Sequence, residues 1–380
     1  MTVYVNAHVF RNGRFVFGGF TVGNGLFIDV FEGRDAVASQ GAADTVDLGD
    51  AYVIPGLVDV HTHGNSGADF SDGDQAGLET MARYLAKNGV TGFAPTSLTL
   101  PFDALKKAFA GAKALAKQEP DGAARILGIN MEGPFFSEKK KGAQNPEFLR
   151  DPDYDFFKEL YDESGGLLRL VDVAPELPGA LDFIEKASRL CRVSLAHTDA
   201  DYETARLAFD AGARHMTHLF NAMPGLHHRA PGPVAAGSER EDVVAELICD
   251  GLHVHPAMIR LAYRLFPGRI CMISDALRCC GMPPGTYTID GRKINVRDRL
   301  ATLADGTIAG SASNLYDCLL TAVNSGVPKE EAILSATLNP AREIGAADRA
   351  GSIEAGKCAD FIVCDADLTR RRVFLGGTPV

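Results

Sequence analysis

The chain of 380 residues carries 38 basic and 49 acidic residues, so its formal net charge is −11, and 46% of its residues are hydrophobic. This composition is typical of a globular protein and not of a disordered or collagen-like one. The acidic balance argues against nucleic acid or an anionic membrane as a partner, because binding to either depends on clustered positive charge. It does not argue against a small anion bound at one local site.

The N-terminal residues show no basic region followed by an apolar stretch, and no window is long and apolar enough to span a membrane. The eight cysteines include no CxxC pair. Free thiols in a reducing cytoplasm are therefore the simplest interpretation, and we expect a cytoplasmic protein. The adjacent Cys279 and Cys280 are the exception, since a vicinal pair can bind a metal or oxidise; the alternative is an incidental pair in a loop.

Both ends of the chain show the pattern of short β-strands. Alternating apolar residues at 3–5 and 15–17, separated by glycine-rich breaks, predict strands in the N-terminal segment. The run at 359–364 predicts another strand near the C-terminus. We expect residues 1–55 and 346–380 to form one small β-sandwich domain together.

The middle of the chain alternates between short apolar runs and amphipathic stretches. Near-continuous apolar runs separated by helices are typical of parallel strands that are buried on both faces. The eight runs lie at 56–60, 90–94, 126–131, 168–173, 192–196, 214–217, 244–249 and 270–274. The amphipathic stretches lie at 75–87, 102–117, 180–191, 202–211, 256–265 and 329–335. This pattern predicts a (β/α)8 TIM barrel over residues 56–345.

Metal-favouring and acidic residues follow the predicted strands. The active sites of such barrels lie at the carboxyl ends of the strands. An i, i+2 pair such as His61 and His63 projects from one face of a strand, so both imidazoles can reach one ion. The other candidates at strand ends are Glu132, His197, His218, Asp250, His253 and Asp275.

Each candidate alone has an ordinary structural explanation. A single histidine after a strand is more often a cap or a satisfied buried residue, and Asp275 has the position of a helix N-cap. Their convergence favours a site for one or two divalent ions. His215 lies inside a predicted strand, and we expect it to point elsewhere. We expect three further histidines to be loop or surface residues: His227, His228 and His255.

Several segments resemble the amidohydrolase superfamily. The segment 55–64, Pro-Gly-Leu-Val-Asp-Val-His-Thr-His-Gly, resembles its first-strand signature, and 350–361 resembles its return to the β domain. Within the superfamily, other segments resemble the N-acetylglucosamine-6-phosphate deacetylase family. These are Met-Glu-Gly-Pro-Phe at 131–135, Thr-His-Leu-Phe-Asn-Ala-Met at 217–223, Asp-Gly-Leu-His at 250–253, Ser-Asp-Ala at 274–276 and Pro-Gly-Thr-Tyr at 284–287.

The resemblance implies roles for the candidate residues. Glu132, His197 and His218 match the ligands of a metal site, and the presence of His61 and His63 leaves room for a second ion. We expect one or two divalent ions per chain, Zn²⁺ first and Fe or Mn as alternatives. Asp275 matches the carboxylate that takes a proton from the attacking water and returns it to the leaving amine.

The resemblance also implies contacts with a sugar phosphate. His253 and the segment of Asn221 and Ala222 match such contacts. Arg229 matches an arginine that reaches the phosphate in the neighbouring subunit, which implies a homodimer, and a forked guanidinium suits phosphate oxygens. Gln144 stands where the family commonly has a histidine near the acetyl group, and it can donate a hydrogen bond but carries no charge.

The resemblance predicts hydrolysis of the acetamido group of N-acetyl-D-glucosamine 6-phosphate in amino-sugar catabolism. Gln144 leaves open a deacetylase for N-acetylgalactosamine 6-phosphate, or hydrolysis of another amide. A non-catalytic barrel that acts as a scaffold or sensor is the alternative from another class. Missing ligands would be its signature, and no matched ligand is missing.

Overall fold

The computed structural model describes residues 1–33, 44–369 and 371–380. Its centre is a barrel of eight parallel strands, as the sequence predicts, and the predicted fold class is confirmed. Strand neighbours in the sheet follow chain order. The barrel strands are Leu57–Thr62, Val90–Ser97, Ile129–Phe135, Leu168–Val173, Arg192–Leu195, His215–Met216, Val244–Ile248 and Ile270–Ile273.

The first and eighth barrel strands meet at their carboxyl ends. A bridge pairs Thr62 with Ala276, and Asp275 N donates to His61 O at 2.9 Å. This contact places the residues after the eighth strand directly beside the His-Thr-His segment. Closure of the barrel is therefore also what assembles part of the site.

Helices cover the outside of the barrel. They are Gln75–Lys87, Phe102–Gln118, Tyr154–Ser164, Ala180–Ala187, Tyr202–Ala211, Gly232–Ser238, Pro256–Leu265, Leu315–Asn324, Lys329–Ala336 and Leu338–Glu343. The first begins after Asp74, whose carboxylate accepts from Ala76 N and Gly77 N, and it buries Leu78 and Met81. Such capping satisfies backbone donors that lack a partner within the helix. The predicted helix at 180–191 ends at Ala187 instead, because the chain turns there to enter the strand at Arg192.

The barrel interior is apolar at some levels and polar at others. Val58 and Val60 are fully buried, as expected for strands covered on both faces. Three carboxyl groups are also fully buried there, at Asp59, Asp172 and Glu246. Buried carboxylates are costly unless they are paired or protonated, so these positions are unusual for a packed barrel.

The two ends of the chain share one seven-stranded sheet. Its strands are Thr2–Arg11, Arg14–Gly23, Leu26–Glu32, Asp44–Pro55, Phe361–Cys364, Arg372–Leu375 and Thr378–Pro379. Ile362 pairs antiparallel with Ile54, and the rings of Phe361 and Phe374 stack with centroids 4.5 Å apart. The expected small β domain is present. The exact boundaries 1–55, 56–345 and 346–380 stay a prediction, and within them 34–43 and 370 lie outside the described residues.

A second small sheet follows the eighth barrel strand, and the sequence did not predict it. Its antiparallel strands are Gly285–Ile289, Arg292–Arg297, Leu300–Thr302 and Ile308–Ser311. One face packs Ile294 and Val296 against Leu98 and Leu277. This sheet stands over the carboxyl end of the barrel. Among the described residues, no helix is long and apolar enough to cross a membrane.

Candidate metal centre and active site

The structure brings the predicted metal-favouring residues together at the carboxyl end of the barrel. His61 lies at the end of the first strand and Glu132 in the third. His197 follows the fifth strand, and His218 follows the sixth. Residues from four strands therefore converge on one point, although they are separated by up to 157 positions in the sequence.

Glu132, His197 and His218 form the tightest group. Glu132 Oε1 lies 3.1 Å from His197 Nε2 and 3.2 Å from His218 Nε2, and the two Nε2 atoms are 3.1 Å apart. All three residues are buried. We call these residues the inner metal group.

A second group shares Glu132 with the first-strand histidines. His63 Nε2 lies 3.4 Å from Glu132 Oε2, and His61 Nε2 lies 3.6 Å from Glu132 Oε1. Asp275 Oδ1 lies on the other side, 3.2 Å from His63 Nε2 and 3.6 Å from His61 Nε2. We call His61, His63 and Glu132 the outer metal group.

The histidine rings are oriented by hydrogen bonds at Nδ1. His197 Nδ1 lies 2.8 Å from Lys140 O, and His63 Nδ1 lies 3.1 Å from Thr96 O. His61 Nδ1 lies 2.9 Å from Glu246 Oε2. Because these oxygens accept, each Nδ1 carries a proton and each Nε2 is turned toward the carboxylates of the site. With Nδ1 protonated, release of the proton from Nε2 gives the neutral tautomer that a metal ligand requires.

The donor atoms fit a divalent ion. A tetrahedral centre with bonds of about 2.0–2.1 Å has donors about 3.3 Å apart. The inner metal group has donor separations of 3.1 to 3.2 Å. His61 Nε2 is buried and has no hydrogen-bond partner among the described residues, an arrangement that costs stability unless the atom binds something. Both groups meet the distance expected of metal-binding residues.

The charges in the site support one another. Burial alone would raise the pKa of Glu132, but hydrogen bonds from His197 and His218 hold it well below its usual range. Burial likewise opposes ionisation of Asp275, but its hydrogen bond with His63 lowers the pKa. Both carboxylates are therefore ionised at neutral pH.

The backbone is strained at three of the predicted site residues. The φ angle is +44° at His197, +31° at His218 and +49° at Asp275. Left-handed backbone at residues other than glycine costs about 1–3 kcal/mol each and clusters at functional sites. Gly133, with φ +96°, has a different reason, since a Cβ there would lie 2.1 Å from Thr99 Oγ1. No pattern in the sequence predicted these positive φ angles.

A cavity of about 290 Å³ opens onto the two metal groups. Ile289 and Ile308 of the small sheet line one side of it, and His253, Asn221 and Ala222 line another. His253 is held by Asp250, with Nδ1 2.7 Å from Oδ2, while its buried Nε2 has no partner among the described residues. His253 Nε2 is thus a polar atom at the cavity wall that lacks a partner within the described part of the chain.

Two predicted substrate contacts are placed differently from the rest. Gln144 lines the cavity, but its Nε2 donates to Glu132 Oε2 and its Oε1 accepts from Thr99 N at 2.8 Å. Arg229 lies on an exposed loop beside His228, with Nη1 2.7 Å from its Nε2. Arg229 is not among the described residues that line the cavity.

Glu246 is the main residue that the sequence analysis missed. It lies in the seventh barrel strand and is fully buried. It accepts hydrogen bonds from His61, from His215 and from the backbone of His218. A lone acidic residue inside an apolar strand was the available signal, since such residues are almost never buried without a partner.

The comparisons with known proteins agree with this site. Residues 52–380 match the Amidohydrolase family, so the chain belongs to the amidohydrolase family. This family is metal-dependent, and the predicted membership is confirmed. The inner and outer metal groups are arranged so that they could bind the metal that this family requires.

Three similar proteins are named for the deacetylation of an amino-sugar phosphate. N-acetylglucosamine-6-phosphate deacetylase of Vibrio furnissii is 37% identical over 98% of this chain and 94% of its own. N-acetylgalactosamine-6-phosphate deacetylase of Escherichia coli O157:H7 is 36% identical, with 86% of each chain covered. A mutant N-acetyl-D-glucosamine-6-phosphate deacetylase from Mycobacterium smegmatis, solved in complex with N-acetyl-D-glucosamine 6-phosphate, superposes with TM-score 0.92 at 32% identity, covering 100% of this chain and 98% of the other.

Proposed function

We propose that the chain is a metal-dependent deacetylase that hydrolyses N-acetyl-D-glucosamine 6-phosphate to glucosamine 6-phosphate and acetate, as a step of amino-sugar catabolism. The observation that carries the proposal is the position of Asp275, whose carboxylate faces His61 and His63 across from Glu132 at the base of the cavity. The relatives named for this activity, at 31–37% identity over most of the chain, support the same substrate.

Glu132, His197 and His218 would hold one divalent ion, and His61 and His63 would hold a second with Glu132. A bound ion supplies Lewis acidity, which polarises the amide carbonyl and makes water a stronger nucleophile. Zn²⁺ is the ion we favour, because neutral imidazoles and a carboxylate in a compact group suit it. Fe and Mn remain alternatives for the same donors.

Asp275 is the proposed general base and then general acid. Its ionised carboxylate takes a proton from the attacking water as the new C–O bond forms at the acetyl carbon. It then gives that proton to the sugar nitrogen as the C–N bond breaks, so acetate and an amine leave. A carboxylate that does both needs to touch the cavity and be ionised at rest, and Asp275 meets both conditions.

The phosphate end of the substrate is proposed to lie near His253. The unpartnered Nε2 of this residue, together with Asn221 and the backbone of Ala222, offers polar contacts at the cavity wall. Arg229 is proposed to act from a second subunit, since within its own chain it lies on an exposed loop. The site would then be complete only in a homodimer.

The proposed pocket is locally cationic in an acidic protein. The partner's arginine and the metal would place positive charge where the phosphate lies, and such focusing is independent of net charge.

All eight cysteines are free, including Cys279 and Cys280. The cytoplasmic location that free thiols suggest stays a prediction.

N-acetylgalactosamine 6-phosphate is the second candidate substrate, because a relative named for that activity is 36% identical. The two sugars differ only in the configuration of one hydroxyl group.

Acetate release measured side by side on the two phosphorylated sugars, with Asp275→Asn as the control, tests the proposal. We expect a higher kcat/KM for the glucosamine epimer and a loss of about 10²- to 10⁴-fold in the variant. Preference for the other epimer, or retained activity in Asp275→Asn, would contradict it.

A further inference from the structure

A series of paired side chains runs from the outer metal group through the barrel interior, and all but the last, an arginine, are buried. His61 Nδ1 lies 2.9 Å from Glu246 Oε2, and the other oxygen of Glu246 lies 3.2 Å from His215 Nε2. His215 Nδ1 lies 3.0 Å from Glu343 Oε2, and the same oxygen lies 3.2 Å from Arg192 Nε. Donors and carboxylates alternate along this series of side chains.

This series of paired side chains crosses the barrel from one end to the other. His61 lies near the carboxyl end of the first strand, whereas His215 and Arg192 are the first residues of their strands. Because the strands are parallel, their first residues lie at the opposite face from the cavity. The Arg192 side chain is 36% exposed, and those of His61, His215 and Glu246 are 0% exposed. The path therefore links the metal groups to solvent at the far end.

Glu246 contacts both metal groups at once. One oxygen receives the His61 ring and also the backbone N–H of His218, at 3.2 Å. Its own backbone carbonyl accepts from Leu219 N at 2.8 Å. One side chain thus fixes the ring direction of an outer ligand and the loop position of an inner ligand. The strained φ of +31° at His218 needs such support.

We propose that Glu246, held in place by His215 and Glu343, is a positioning residue for the metal centre. Hydrogen-bonded carboxylates behind ligating histidines fix the tautomer and increase the basicity of the ring. Burial lowers the pKa of His215, but its two carboxylate partners outweigh burial and raise the pKa to about 9. A charged His215 keeps Glu246 oriented toward His61. The inference rests on the metal-dependent function proposed above.

The test measures metal binding without substrate. Dissociation constants for Co²⁺ and Zn²⁺ are measured by chelator competition on the parent chain, Glu246→Gln and Glu343→Gln. The absorption spectrum of bound Co²⁺ reports the ligand geometry. Asp172→Asn is the matched control, since Asp172 is an equally buried carboxyl group of the barrel interior whose oxygens have no partner among the described residues.

We expect Glu246→Gln to weaken metal binding by about 10- to 100-fold and to change the Co²⁺ spectrum. Glu343→Gln, which is remote from the metal groups, is expected to weaken binding by a smaller factor, and Asp172→Asn to leave it unchanged. Parent-like affinity and spectrum in both Glu variants would overturn the proposal, as would an equal loss in Asp172→Asn. If Glu246→Gln does not fold, Glu343→Gln decides. The metal-binding measurements use no substrate. A failure to detect deacetylation would therefore contradict the proposed function but not the positioning role of Glu246.

Discussion

Gln144 and Glu132 are joined by a hydrogen bond from Nε2 to Oε2 of 2.5 Å, and Thr99 N donates to the other end of the same amide. Gln144 thus fixes the carboxylate that both metal groups share. Its Nε2 has a second N–H, and the residue lines the cavity. The predicted contact of Gln144 with substrate stays a prediction, while its contact with Glu132 is a second function that the sequence did not suggest.

Substitution of Gln144 separates these functions. Gln144→Leu removes the hydrogen bonds to Glu132 Oε2 and from Thr99 N, so we expect metal affinity and kcat to fall by about 10- to 100-fold. Gln144→His keeps one ring donor and one ring acceptor, so we expect activity within about tenfold of the parent. Metal content and kcat are the measurements. Equal activity in Gln144→Leu and the parent would show that the hydrogen bonds do not matter.

Metal titration of the stripped chain is expected to be biphasic. The inner group has donors 3.1 to 3.2 Å apart, whereas the outer group is looser, at 3.4 to 3.6 Å from Glu132. Glu132 Oε2 is also shared with Gln144. The inner group should therefore fill first and the outer group more weakly.

Single ligand variants assign the two phases. His197→Ala should abolish the tight phase and activity, and His61→Ala should remove only the weak phase. Metal analysis per chain and acetate release are measured on the same samples. A single phase that His61→Ala abolishes and His197→Ala leaves intact would reverse the assignment.

The proposed homodimer predicts complementation between two impaired variants. Arg229→Gln should raise KM for a phosphorylated substrate, and Asp275→Asn should abolish turnover. In mixed dimers, the site with an intact Asp275 and a partner's intact Arg229 should work, so random mixing should restore about a quarter of the parent activity. The control is each variant alone. No recovery in a verified mixed dimer would place Arg229 outside the neighbouring site.

The raised pKa of the buried Asp172 predicts that replacing this residue by asparagine stabilises the protein at high pH. Burial, and then the charge of Glu246, raise the pKa of the folded carboxyl to about 8, whereas an unfolded aspartate titrates near about 4. Between these values the folded chain binds one more proton than the unfolded chain, so the free energy of unfolding falls as pH rises. Asp172→Asn lacks this loss.

We therefore expect Asp172→Asn to be more stable than the parent at pH 8, by up to about 5 kcal/mol at about 1.4 kcal/mol per pKa unit, and the difference to shrink toward pH 4. Denaturant unfolding at several pH values checks this, with the parent as reference. A stability difference that does not change with pH would contradict the raised pKa of Asp172.

Much of the architecture was predictable from sequence. All eight apolar runs became barrel strands because burial on both faces leaves a strong apolar signal. The positions of His61, Glu132, His197, His218 and Asp275 followed from one rule, that active sites collect at the carboxyl ends of the strands.

Other features had no sequence signal that could fix them. The small sheet over the cavity consists of strands of three to six residues with exposed polar faces, which is too short for a clear period. The hydrogen bonds of Gln144 and Glu246 join residues that are 12 and 185 positions from their partners. Only the closed barrel brings such pairs together.

The function proposed for the site is hydrolysis of the acetamido group of a phosphorylated amino sugar. The most direct measurement is kcat/KM for acetate release from N-acetylglucosamine 6-phosphate and from unphosphorylated N-acetylglucosamine, with the metal-loaded parent chain. We expect the phosphorylated sugar to be preferred by at least about 100-fold, since charge-assisted hydrogen bonds to its phosphate contribute several kcal/mol. Equal kcat/KM values for the two sugars, or no acetate from either, would contradict the proposed function.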